Sequence, residues 1–83
     1  MRVVVLPAAR RDIHRLAPDI APRVARAIDA LADDPRPPGC QLLRDREPRT
    51  WRVRVGDWRI LYDINDNTGV VTILRVLHRA RAY

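Results

Sequence analysis

The chain has 83 residues, 47% hydrophobic and 31% charged, a balance that fits one small globular domain over residues 1–83 and excludes a disordered chain. Its 16 basic residues, all arginine, against 10 acidic ones give a net charge of +6, which on so small a domain attracts polyanions such as nucleic acid or an acidic protein. Serine and lysine are absent, which excludes a serine nucleophile and a lysine Schiff base, and the single Cys40 with His14 and His78 offers neither a disulfide nor a metal-ligand spacing, so a chain working without metal or cofactor in the reducing cytoplasm is expected.

Residues 2–6 (RVVVL) form a β-branched run of strand length, stopped by Pro7. Its apolar part is too short for a membrane span or the core of a signal peptide. Over residues 8–17 the spacing turns helical, with Ile13, Leu16 and Ala17 on one face and Arg10, Arg11, His14 and Arg15 around the rest; Pro18 closes this helix. A second helix starts near Asp19, carries Val24, Ile28 and Leu31 in a stripe widened by Ala27, and holds Pro22 in its first turn, where a missing N–H costs little. The two make a helical hairpin. The breaker-rich residues 33–39 (DDPRPPG) end the second helix, and residues 44–49 (RDREPR) read as a mixed-charge loop. Strand-like runs follow at 50–55, 57–64 and 70–77, the last two separated by a turn at 65–69 (NDNTG). The order β-α-α-β-β-β predicts an α+β domain whose helical hairpin packs on one face of a small, mainly antiparallel sheet.

Only Gly56 and Asp57 separate Val55 from Trp58, and a two-residue loop with glycine first suits a type II′ hairpin turn. That register opposes Val55 with Trp58, Arg54 with Arg59, Val53 with Ile60, Arg52 with Leu61 and Trp51 with Tyr62. Faces alternate along each strand, so Trp51, Val53, Val55, Trp58, Ile60, Tyr62 and Ile64 share the side that seats the helices, while Arg52, Arg54 and Arg59 converge on the other. A solvated charged face is the plain meaning of such alternation. Yet directly opposed like charges destabilise a strand pair by up to about 1 kcal/mol, and an anionic partner would remove that cost. If the last strand pairs with 57–64, its end returns toward Gly56 and brings Arg79 and Tyr83 near Arg54 and Arg59. The five-residue turn leaves that register open by one, and with it the face taken by Arg75.

Three segments, ALADDPRPPG (residues 30–39), WRVRVGDWRILYDI (51–64) and LRVLHRARAY (74–83), together resemble the RelE branch of the RelE/ParE toxin superfamily over nearly the whole chain. The middle one is the most specific. The resemblance implies the toxin of a type II toxin–antitoxin pair: a ribosome-dependent mRNA endoribonuclease, held inactive by a cognate antitoxin in a hetero-oligomeric complex. Its partners would be the antitoxin, the ribosome and mRNA, with no role for a membrane. Carried over residue by residue, it implies catalytic roles for Arg52 and Arg54, where well-studied members have lysine, and for Arg59, Arg79 and Tyr83. Arg75, His78 and Arg81 are expected to bind RNA. The chain departs from the family at Leu77, where glycine is common, and at Arg81, in a region often acidic.

Such residues suit a reaction in which the 2′-hydroxyl of RNA attacks the adjacent phosphate, leaving a 2′,3′-cyclic phosphate and a free 5′-hydroxyl. Arginine forks would neutralise the phosphate and the charge that develops on it. The proton acceptor stays open between Tyr83, which the family favours, and His78, whose intrinsic pKa suits the task. Two other readings share the fold: a ParE-like toxin acting on DNA gyrase, and a catalytically inactive module that binds the antitoxin.

Overall fold

The computed structural model describes residues 1–44 and 49–81. Its elements run β1 (Arg2–Val5), α1 (Pro7–His14), α2 (Ala21–Asp33), β2 (Gln41–Leu43), β3 (Thr50–Val55), β4 (Trp58–Asn65) and β5 (Val70–His78). They form one five-stranded sheet in the order β1-β5-β4-β3-β2, in which β1 pairs with β5 in parallel and every other neighbour is antiparallel. The expected α+β layering of a helical hairpin on a mainly antiparallel sheet is present, with one strand more than expected. That strand, β2, is three residues long, too short to show an alternation of its own; pairing with β3 opposes Gln41 to Arg52, Leu42 to Trp51 and Leu43 to Thr50.

The prolines act at helix starts. Pro7 does more than stop β1, since it occupies the first turn of α1, and Pro22 does the same in α2. Helix α1 is shorter than its apolar spacing suggests: it ends at His14, and a tight turn through the Leu16 N–H to the Ile13 carbonyl follows. The core lies between the helices and one sheet face, where Ala9, Val24, Ile28 and Leu31 pack against Val55, Ile60, Tyr62, Val71, Ile73 and Val76. Trp51, Val53, Trp58 and Ile64 pack against this cluster from the same side, as alternation predicts. Tyr62 is fully buried and its hydroxyl donates to the Pro35 carbonyl at 2.8 Å, which ties the proline-rich connection to the sheet; burial pushes its pKa up.

Two features of β5 govern the site. Opposite Leu61 stands Arg75 but opposite Tyr62 stands Ile73, so Leu74 is an extra residue, and beyond this bulge Trp58 faces His78. Strand β1 covers only Val70 to Ile73, so the rest of β5 has a free edge. Asp12 of α1 covers part of that edge, accepting from the Val76 N–H at 2.9 Å and from Arg75 Nε and Nη2 at 2.7 and 3.0 Å. No helix among the described residues is long and apolar enough to cross a membrane.

Candidate functional site

The β3–β4 hairpin has the register that its two-residue turn predicts, with Arg54 opposite Arg59 and Arg52 opposite Leu61. Gly56 takes a φ of +58° and no non-glycine described residue has a positive φ, in keeping with a type II′ turn. The three arginines therefore share the face away from the helices. That face is not simply solvated. Arg54 is exposed, but Arg52 and Arg59 are only 2% and 7% exposed, and Leu61 on the same face is 2% exposed although it lies outside the helix-side core cluster.

Each buried guanidinium is held by a local acceptor. Arg59 Nη1 donates to the Gly56 and Trp58 carbonyls, both at 3.1 Å, so its side chain curls back onto the turn. Its buried Nε has no hydrogen-bond partner among the described residues. Arg52 Nη2 donates to Gln41 Oε1, so the short strand β2 supplies an acceptor that the charge pattern did not reveal. Burial, and after it the positive charges of Arg54 and Arg59, push the Arg52 pKa below its ordinary value, which marks the three as one electrostatic group.

Arg79 joins them at the turn. Its N–H donates to the Asp57 carbonyl at 2.8 Å, and its guanidinium lies 3.9 Å from the Asp57 carboxylate in an exposed ion pair of little energetic weight. Arg23 of α2, which sequence reasoning missed, also reaches the turn: its guanidinium nitrogens lie 3.6 and 3.7 Å from where a Cβ on Gly56 would stand. No local signal marks it, because the position of α2 against the hairpin is a property of tertiary packing.

The remaining predicted residues lie apart. Arg75 stands opposite Leu61, but its guanidinium turns to the edge and clamps Asp12. Burial alone would raise the Asp12 pKa; the hydrogen bonds from Arg75 and Val76 and the charges of Arg75 and Arg15 outweigh it and hold the carboxyl below its ordinary value. Arg75 is raised by the same pairing. His78 falls on the helix side, its ring edge-on to Trp58 at 5.4 Å, and its Nδ1 accepts from the Ala80 N–H at 3.4 Å. Arg81 follows in the turn after β5, its N–H donating to the His78 carbonyl at 2.8 Å. Tyr83 lies outside the described residues.

Comparison with known proteins gives a consistent family. Residues 3–83 match the family described as ParE toxin of type II toxin–antitoxin system, parDE. Toxin RelG of Mycobacterium tuberculosis (strain ATCC 25618 / H37Rv) is 42% identical over 76 residues, covering 90% of this chain and 86% of that toxin. Among solved structures, a chain of the toxin–antitoxin complex RelBE2 from Mycobacterium tuberculosis superposes with a TM-score of 0.81 at 39% identity, covering 94% of this chain and 96% of its own. A chain of the archaeal RelE–RelB complex from Pyrococcus horikoshii OT3 gives 0.83 at 26% identity, covering 98% and 97%.

Proposed function

The chain belongs to the RelE/ParE family of type II toxin–antitoxin toxins, and from that premise we propose that it is a ribosome-dependent mRNA endoribonuclease whose arginine face binds the scissile phosphate. The observation that carries the reading is the convergence of Arg52, Arg54 and Arg59 on one sheet face, with Arg79 at the turn beside them. Opposed guanidinium groups on a half-buried face are unfavourable without an anion, and a phosphodiester supplies one.

RNA brings its own nucleophile, so the protein has to orient, neutralise and move protons. Arg59, held against the turn carbonyls, and Arg52, held by Gln41, are anchored donors for the non-bridging oxygens; exposed Arg54 meets the incoming strand. Arg79 would donate a proton to the leaving 5′-oxygen and recover one from solvent. Tyr83, as its phenolate, would take the 2′-hydroxyl proton, as the family resemblance implies, since arginine is too weak a base at neutral pH. His78 is the poorer candidate because it stands opposite Trp58, on the side away from Arg59. The attack yields a 2′,3′-cyclic phosphate and a 5′-hydroxyl, and no step of it draws on a metal or cofactor. We further propose an antitoxin partner, as in the RelBE2 and RelE–RelB complexes, with an acidic segment to match the +6 charge of this chain.

The test offers the purified protein a translating ribosome and maps mRNA ends. Cuts within the A-site codon that vanish in Arg59→Ala and Tyr83→Phe support the reading. The parDE description of the matching family favours a second one, inhibition of DNA gyrase; gyrase inhibition with intact mRNA would establish it instead.

A further inference from the structure

The arginine face ends at the β5 edge, and around that edge lies a pocket of about 250 Å³ lined by Asp12, Arg15, Trp58, Arg75, His78 and Arg81, with Val76 and Leu77 between them. The Asp12–Arg75 clamp forms one wall and consumes both charges. Arg15 and Arg81 are exposed, and neither guanidinium has a hydrogen bond or ion pair among the described residues. Opposite them stand the half-buried Trp58 and His78. His78 Nδ1 accepts from the Ala80 N–H at 3.4 Å.

A planar wall with the Trp58 indole N–H and two exposed guanidinium groups are parts that can recognise a base and its phosphate. The volume is below the roughly 300–1,000 Å³ of pockets for larger ligands, so it suits one nucleotide unit and not two. The pocket opens on the helix side of the sheet: Trp58 and Arg59 are neighbours on β4 and point to opposite faces, and His78 follows Leu77, which stands opposite Arg59 on β5, so the free edge of β5 separates the pocket from the arginine face. An RNA strand bound at the arginine face would reach the pocket only by passing round this edge.

We propose that this pocket is a nucleotide subsite, taking one unpaired nucleotide that flanks the cleaved bond, with its base against Trp58 and His78 and its phosphate on Arg15 and Arg81. The assignment rests on the RNA-cleaving reading above, which it extends by naming where a neighbouring base is read.

The test is a titration of the full chain with adenosine 5′-monophosphate, followed by NMR at the two indole N–H groups; Trp51, which stacks under Arg36, serves as the internal control. The expected result is a saturable shift at Trp58 and none at Trp51. Binding should weaken about tenfold in Arg15→Ala or Arg81→Ala, the effect of one charge-assisted contact, and stay unchanged in Arg26→Ala, at an exposed position of α2 outside the pocket. Three results overturn the subsite: an equal shift from inorganic phosphate, which would make it an anion site without base recognition; binding lost in Arg59→Ala but kept in Arg15→Ala; or a shift from hexaglutamate alone, which would assign the pocket to an acidic protein. A second arm scores mRNA cuts by the Arg15→Ala/Arg81→Ala protein. Cutting retained with an altered preference at a flanking nucleotide supports the subsite, and an unchanged preference overturns it. Loss of cutting by the wild-type chain itself would instead defeat the nuclease reading, a result separable from the titration.

Discussion

Ile60 and Arg59 are consecutive residues of one strand, 0% and 7% exposed, and they are buried for opposite physical reasons. On the helix side, Ile60 removes apolar surface from water among other apolar side chains, a gain of about 1.5–3 kcal/mol. On the arginine side, Arg59 gives up hydration for two backbone carbonyls and faces another cation across the strand pair. One face stabilises the sheet and the other draws on that stability to hold charges where they repel. The difference separates fold from function by residue: substitutions on the helix side should change melting, and those on the arginine side should change chemistry.

Ile60→Ala is the sharpest challenge on the first face. It should lower stability by about 2–5 kcal/mol in denaturant titration, while cleavage per folded molecule stays near wild type. Arg59→Ala should do the reverse, slowing mRNA cleavage about 10² to 10³-fold while costing less stability than Ile60→Ala. If Arg59→Ala melts the protein more than Ile60→Ala does, the arginine face is structural and the comparison breaks.

The clamp at the β5 edge has a smaller, pH-dependent effect. Asp12→Asn should cost about 1–3 kcal/mol by weakening the bonds to Arg75 and Val76. The folded Asp12 pKa is lowered, so its contribution is fully present above the unfolded carboxyl value of about 3.9 and is lost as pH falls through the folded value. Urea titrations at pH 6 and below pH 4 should show an acid loss of stability that Asp12→Asn reduces. The smallest effect is on salt dependence. Each phosphate contact to single-stranded RNA contributes a slope of about −0.7 in log affinity against log salt, and Arg54→Ala should flatten the slope by about that amount.

What the chain's letters reveal follows the range of the interactions involved. The Arg54–Arg59 opposition is legible because a two-residue turn with Gly56 first leaves one register. Strand β2 is not, since three residues carry no period, and with it the Gln41 acceptor that anchors Arg52 stays hidden. The placement of His78 opposite Trp58 depends on a bulge at Leu74 that no composition rule marks. The Asp12–Arg75 clamp joins positions 63 residues apart, and Arg23 reaches Gly56 only through the docking of α2. Burial of two of the three face arginines likewise depends on neighbours contributed by other strands.

The measurement closest to the central claim is the end-group chemistry of RNA cut by this protein on a translating ribosome. The account predicts 2′,3′-cyclic phosphate and 5′-hydroxyl ends from the wild type, and no cuts from a folded Arg52→Ala/Arg54→Ala/Arg59→Ala protein. Undiminished cutting by that triple variant would contradict it.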